Sequence, residues 1–307
     1  MSATNQIRYI EHREVDKLKW NRCIDEAANG LIYAYSDYLD CMAPGWHALV
    51  LKDYEAVMPL TWNRKYGFHY LYQPFLSASL GVFGNHMNAI LLEEFLKAIP
   101  AKFKYWDIYL NHGNFFRIST FDLYERMNYV LDLNATYETL YKNFRENVKR
   151  NIKKAAKLGC VLRSDFKVED VIELSVIQME TFARVKDQDF EHFKMLYYRF
   201  REKGKAMTYG IFNTRNELIS SCVFFFSHNR AYYILVGNHP DGKTIGAGHA
   251  LINEFIKEHA NQSLLLDFEG SDVHNIAFFY SSFGATEEKY PGIKYNKLPA
   301  MVKWLKD

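Results

Sequence analysis

The sequence predicts a mixed α/β chain made of two halves that divide near residue 134. Three observations lead there. At 307 residues the chain exceeds one average domain. Its 49% hydrophobic and 24% charged residues supply the core and surface of a globular protein. Helical-period segments also alternate with short aromatic and β-branched runs in both halves, and nothing repeats at the ~20–50-residue period of solenoids or propellers.

The first half, residues 1–133, reads in order as follows. Glu14 to Ala28 is helical, and Ala48-Leu-Val-Leu-Lys and Tyr54-Glu-Ala-Val-Met-Pro-Leu are strands around a turn at Lys52-Asp53. Gly67-Phe-His-Tyr-Leu-Tyr is a further strand. Asn88 to Ile99 is a helix stopped by Pro100, and it is followed by strands at Lys104–Leu110 and Tyr129–Leu133. The second half, 134–307, opens with one basic helix that Asn134 or Thr136 can cap and Gly159 ends. Phe144, Val148, Ile152, Ala155 and Ala156 share its apolar face. Helices over Val168–Phe182 and Phe190–Glu202 precede three strands, Ala206–Phe212, Leu218–Phe226 and Ala231–Gly237. The joints between these strands are short enough for antiparallel hairpins. A helix from Gly248 to Ala260, a strand Leu264–Phe268 and a helix Asn275–Ser282 complete the half.

Charge and cysteine usage narrow the chemistry. Between Lys142 and Arg163 eight Lys or Arg stand against one Glu; that +7 window leaves the rest of a +2 chain at −5. The basicity is therefore local and points to one anionic partner. Four scattered cysteines form no Cys-x-x-Cys, and 11 histidines form no His-x-x-x-His pair. No disulfide framework and no metal site are expected, and a reducing cytoplasm fits. No apolar run approaches the ~18 residues of a membrane span, and the start lacks a signal-peptide core. Membrane insertion is not expected, nor is DNA a partner.

The segment Val236-Gly-Asn-His-Pro-Asp-Gly-Lys-Thr-Ile-Gly-Ala-Gly-His carries the strongest local signal. A strand enters a loop, Lys243-x-x-Gly246-x-Gly248, and a helix begins there. Glycines let the backbone turn tightly and gather N–H groups, and a helix N-terminus adds about half a positive charge. The loop Lys243, Ile245, Gly246, Ala247, Gly248 is thus a candidate pyrophosphate cradle, against the plainer reading of a glycine-rich connector. It is neither Walker A nor Gly-x-Gly-x-x-Gly.

An antiparallel meander followed by Arg/Gln-x-x-Gly-x-Gly/Ala at a helix start resembles the acyl-coenzyme A loop of the GNAT acyltransferases, with Lys243 in the Arg/Gln position. Tyr280-Ser-Ser-Phe-Gly284 resembles the tyrosine-bearing helix of that superfamily, although Asn275 and Ala277 are out of register with its usual Asn and Ala. Nearly the whole chain resembles the Fem-type peptidyltransferases and their acetyltransferase-like relatives, which are two tandem GNAT folds. The likeness rests on Asn147–Gly159, Thr181-x-x-Arg184, Asp267-Phe-Glu-Gly-Ser271 and Phe278–Ala285. The resemblance implies transfer of an acyl group from acetyl-CoA or another acyl-CoA to a small-molecule or peptide amine. Aminoacyl-tRNA is the alternative donor, acting on a cell-wall precursor. No inserted helical hairpin of the kind that contacts RNA is present, which weighs against it.

Acyl transfer to an amine needs a base for the ammonium proton, a donor for the leaving group and N–H groups for the oxyanion. Asp267 and Glu269 end a strand, where alternation sends both to one face, so either suits the base. Asp267 equally suits a cap on the Gly270-Ser271 turn, and Glu269 a solvated carboxylate. Tyr280 is the acid that the resemblance implies, or a core tyrosine with a satisfied hydroxyl. Leu235 and Val236 lie on a strand whose free backbone groups can pair with pantetheine. Arg184, Arg150 and Lys154 are candidate contacts to substrate phosphate or carboxylate, against the plain alternative of solvated or ion-paired cations. A non-catalytic module that binds an anionic ligand is the remaining class.

Overall fold

The structure, a computed structural model, describes residues 6–179, 187–270 and 272–299. They form two compact units, one drawn from 1–127 with 289–307 and the other from 128–288. The sequence reading assigns everything after residue 133 to the second half, whereas the structure returns the segment after 288 to the first unit.

The first unit contains β1 (Ile7–Ile10), α1 (Lys17–Glu26), α2 (Ser36–Met42), β2 (His47–Leu51), β3 (Ala56–Leu60), β4 (Trp62–Lys65), β5 (Phe68–Tyr72), β6 (Phe83–Gly84), α3 (Ala89–Ala98), β7 (Phe103–Tyr109) and the first part of β8 (Leu123–Asp132). One sheet has the order β1-β2-β3-β6; in the other, β5 pairs antiparallel with β4 and parallel with β7. Asp16 caps α1 through the N–H groups of Leu18 and Lys19, and Asn88 caps α3 through that of Leu91. The core holds Leu49, Met58, Leu92, Phe95, Phe103 and Trp106, all buried. Three buried asparagines, Asn29, Asn111 and Asn114, each donate a side-chain N–H to the Val82 carbonyl and so brace the strand-like 80–84 segment.

The second unit takes the end of β8 and then α4 (Tyr137–Lys142), α5 (Glu146–Lys157), β9 (Val161–Ser164), α6 (Val168–Met179), α7 (Asp187–Glu202), β10 (Ala206–Phe212), β11 (Leu218–Ser227), β12 (Arg230–Asn238), α8 (Pro240–Ile245), α9 (Ala247–His259), β13 (Leu265–Asp267), α10 (His274–Ser281) and the start of β14 (Thr286–Asn296). Residues 292–296 of β14 pair with β7 in the first unit. In the second unit the order is β8-β13-β12-β11-β10-β9, with β12 and β13 parallel and the other pairs antiparallel. The run Cys222–Phe226 is apolar throughout rather than alternating because helices cover both faces of β11. Phe224 stacks on Phe255 of α9 at 3.8 Å between centroids, and Phe225 faces the other way onto Phe193 and Phe200 of α7.

The expected basic helix is two helices. Thr136 caps α4 as predicted, but the chain turns extended at Arg145, whose N–H donates to the Ser282 carbonyl at 2.9 Å. Phe144 is buried at the break against Phe283, and the Arg145 guanidinium lies 4.6 Å from the Phe278 ring centroid. These tertiary contacts outweigh helical propensity over residues 143–145. α5 keeps the predicted stripe in part, with Val148 and Ala155 buried but Ala156 exposed.

Candidate active site

Four elements of the second unit surround a cavity of about 330 Å³. β12 contributes Tyr233, Val236 and Asn238; α8 and the start of α9 contribute Gly242, Lys243, Gly246, Gly248 and His249; α10 contributes Asn275, Ile276, Phe279 and Tyr280. The end of α6 adds Gln178, whose Oε1 accepts from the backbone N–H of Asn238 at 2.8 Å.

The wall on β12 is irregular. Cys222 pairs with Val236 and Val223 with Ile234, so Leu235 is an extra residue, with φ 47°. A bulge of this kind leaves a residue outside the ladder and bends the strand. On its other edge β12 pairs with β13 only at Arg230–Tyr232. Beyond Tyr232, no described strand takes that edge. Leu235 itself is buried, and Val236 lines the cavity.

The glycine segment is helical where a loop was expected. Pro240 occupies the first turn of α8, His239 caps it by accepting from the Asp241 N–H, and Gly242 lets the helix sit on the Ile219 carbonyl, 2.0 Å from where a Cβ would stand. Lys243 belongs to this helix, exposed at the cavity and without an ion-pair partner among the described residues. Gly246, with φ +87°, closes α8 and caps α9. A Cβ there would stand 2.7 Å from the Asn151 Cβ and 3.0 Å from its carbonyl oxygen, because α5 crosses at that point. Lys154, one turn on, donates to the Thr244 carbonyl at 2.8 Å. A Cβ on Gly248 would instead face Asn238 Oδ1 at 3.2 Å and Phe279 at 3.9 Å. Ala247 is buried and Ile245 partly so; neither lines the cavity.

Asp267 and Glu269 do not share a face. β13 ends at Asp267, and Glu269 is left-handed, with φ 62°, so strand alternation stops between them. Asp267 is 3% exposed, with Oδ2 2.7 Å from Arg230 Nη1 and Oδ1 accepting from Asn128 Nδ2 and the Glu269 N–H. Glu288 takes the rest of the Arg230 fork at 2.5 and 3.0 Å. The carboxylate of Asp267 thus fixes the strained backbone that carries Glu269.

Tyr280 is half-buried on the cavity wall and stacks on Phe268 at 4.6 Å. Burial, then the negative charges of Glu269 and Asp267, push its pKa up, so it keeps its proton at neutral pH. Tyr233 is 4% exposed and its pKa is raised by burial first, then by Cys222 and Tyr280. Burial lowers the His249 pKa to about 4. Arg150 is exposed on α5, and Arg184, Thr181 and Ser271 lie outside the described residues.

Residues 142–273 match the model of the acetyltransferase (GNAT) domain. Over that segment the chain is similar to GNAT-type acetyltransferases. Likeness in fold extends over the whole chain. FemX is 12% identical, with a TM-score of 0.65 over 97% of this chain and 99% of that one. The C-terminal domain of a putative lysylphosphatidylglycerol synthetase from Agrobacterium fabrum is 10% identical, with a TM-score of 0.58 over 94% of each chain. L-PGS from Bacillus licheniformis is 10% identical, with a TM-score of 0.53 over 93% of each. No curated protein sequence matches the chain.

Sequence reasoning did not place Gln178, Tyr233, Asn238, Gly242, His249, Asn275, Ile276 or Phe279 at the cavity. His249 directly follows Gly248, and Phe279 shares a helical face with Asn275, so both had a local signal. Gln178 had none, since it reaches Asn238 from 60 residues away. Among the described residues no helix is long and apolar enough to cross a membrane.

Proposed function

We propose that the 128–288 unit binds an acyl-coenzyme A in this cavity and transfers the acyl group to an amine by direct attack. The carrying observation is the open edge of β12, bulged at Leu235 and running beside the cavity to Lys243 and the start of α9. An extended pantetheine amide chain can add to such an edge as a strand does. Lys243 and the α9 N-terminus suit its pyrophosphate. In the reaction the amine nitrogen bonds to the thioester carbon as the C–S bond breaks. The ammonium proton passes to Glu269, directly or through water, and the leaving thiolate accepts a hydrogen bond from Tyr280. Asp267 is the positioning group for Glu269.

Calorimetric titration with acetyl-coenzyme A tests this. Saturable binding that weakens in Lys243→Ala and Gly248→Val, both still folded, is the expected result. Absence of binding in the folded wild type refutes it. A second reading, aminoacyl-tRNA as donor, is favoured by Arg150, Lys153 and Lys157, exposed cations on α5 without partners among the described residues. Under that reading tRNA binds with steep salt dependence and acetyl-coenzyme A does not bind.

A further inference from the structure

His249 does not figure in the acid–base scheme above, yet it occupies the third position of α9 and lines the cavity. Its ring is packed edge-on against Phe279 at 4.8 Å and near Phe283 at 5.9 Å. Its Nε2 lies 3.4 Å from Nδ2 of Asn151, which α5 brings in at the Gly246 crossing. With the Asn151 amide placed so that Nδ2 faces the ring and donates, Nε2 is the accepting nitrogen and the neutral imidazole carries its proton on Nδ1. No described residue accepts from that Nδ1–H. The ring is therefore a fixed, uncharged donor at a helix N-terminus in a largely apolar cavity, the setting in which a neutral imidazole polarises a carbonyl without giving up its proton.

We infer that His249 donates its Nδ1–H to the acyl carbonyl oxygen of the bound thioester and holds the oxyanion as the amine attacks. The inference rests on the acyl-coenzyme A reading. It makes His249 a catalytic donor and Asn151 the residue that sets its tautomer. Tyr280 then has the sulfur to itself.

The test uses acetyl-coenzyme A labelled with ¹³C at the carbonyl, bound to the whole chain and followed by infrared spectroscopy. With wild type the carbonyl stretch moves to lower frequency than in water-free reference solvent. With His249→Leu that shift is lost, while affinity falls only about 2- to 10-fold, the range for one neutral hydrogen bond. His249→Gln, whose side-chain amide can donate, restores part of the shift. Nitrogen NMR of the imidazole supplies an independent readout: the Nδ1–H tautomer in the free protein, with Nδ1 perturbed by acetyl-coenzyme A more than by coenzyme A. An unchanged stretch in His249→Leu, or an Nε2–H tautomer, overturns the assignment while leaving the donor reading intact. Wild type that does not bind acetyl-coenzyme A overturns both.

Discussion

Two glycines of one motif should respond oppositely to the same methyl group. At Gly246 an alanine must hold φ near +87°, which costs an L-residue roughly 1–2 kcal/mol. Its methyl must also stand 2.7 Å from the Asn151 Cβ and 3.0 Å from the Asn151 carbonyl, and forcing apart packed elements costs about 1–3 kcal/mol more. The lower entropy of the unfolded alanine chain offsets about 0.4–1 kcal/mol the other way, because it works through the unfolded state and makes folding less costly. Gly246→Ala should therefore lose about 2–4 kcal/mol, a fall in melting temperature of roughly 5–15 °C for a unit of this size. At Gly248 the nearest atom is Asn238 Oδ1 at 3.2 Å, with no positive φ to maintain. Alanine there gains up to about 1 kcal/mol of helix propensity, so Gly248→Ala should melt within a few degrees of wild type. Its methyl enters the cavity beside Asn238 and Phe279, and acetyl-coenzyme A should bind at least about threefold more weakly, which is of order 0.6 kcal/mol. Calorimetric melting and titration of the two variants side by side decide the matter. A Gly246→Ala protein that melts like wild type refutes the crossing argument; a destabilised Gly248→Ala with unaltered binding refutes the assignment of that glycine to the cavity.

Four further expectations follow from the same site. Tyr280→Phe should lower turnover about 100-fold at unchanged acetyl-coenzyme A affinity, since it removes only a hydroxyl; a change confined to affinity would contradict its role at the leaving group. Asp267→Asn leaves Arg230 buried with one carboxylate fewer and should cost about 3 kcal/mol in urea unfolding, whereas Glu269→Gln should lower turnover with stability within about 0.5 kcal/mol. Arg150→Glu should leave acetyl-coenzyme A affinity unaltered and abolish any tRNA binding measured at low salt. Because burial holds the His249 pKa at about 4, below the ordinary ~6.5, the stability it contributes is complete above pH 6.5 and is lost as pH falls toward 4. After discounting for partial exposure this is about 2 kcal/mol, and stability of His249→Gln measured across that window should be correspondingly flatter.

Long, strongly patterned elements were legible. The Asn88 cap and Pro100 stop bound α3 to within a residue, and the meander β10-β11-β12 stands where three apolar runs joined by short polar turns put it. What escaped is what depends on partners distant in the chain. β14 pairs Gly292 with Tyr109 and Asn296 with Tyr105, across more than 180 residues, and its own sequence Thr-Glu-Glu-Lys-Tyr-Pro-Gly-Ile-Lys-Tyr-Asn alternates poorly. The break between α4 and α5 was hidden for the same reason: Arg145 looks helical until Ser282 and Phe278 are placed beside it.

The glycine motif shows where pattern reading stops. As a string, Gly242-Lys-Thr-Ile-Gly246-Ala-Gly248 suggests glycines that clear space for a phosphate. In the fold all three line the cavity, but a methyl would strike different things: the Ile219 carbonyl at Gly242, the Asn151 backbone at Gly246, and two cavity side chains at Gly248. Two of the three are thus required for helices to approach a strand and each other, whether or not a ligand is ever bound. Their packing nevertheless has a chemical consequence. The crossing that Gly246 permits is what carries Asn151 to His249, and the perch that Gly242 permits is what sets Lys243 at the cavity. A substitution at either glycine will therefore disturb binding through the scaffold, so loss of activity there cannot by itself identify a phosphate contact. Gly248 and Lys243 are the positions at which such a loss is informative.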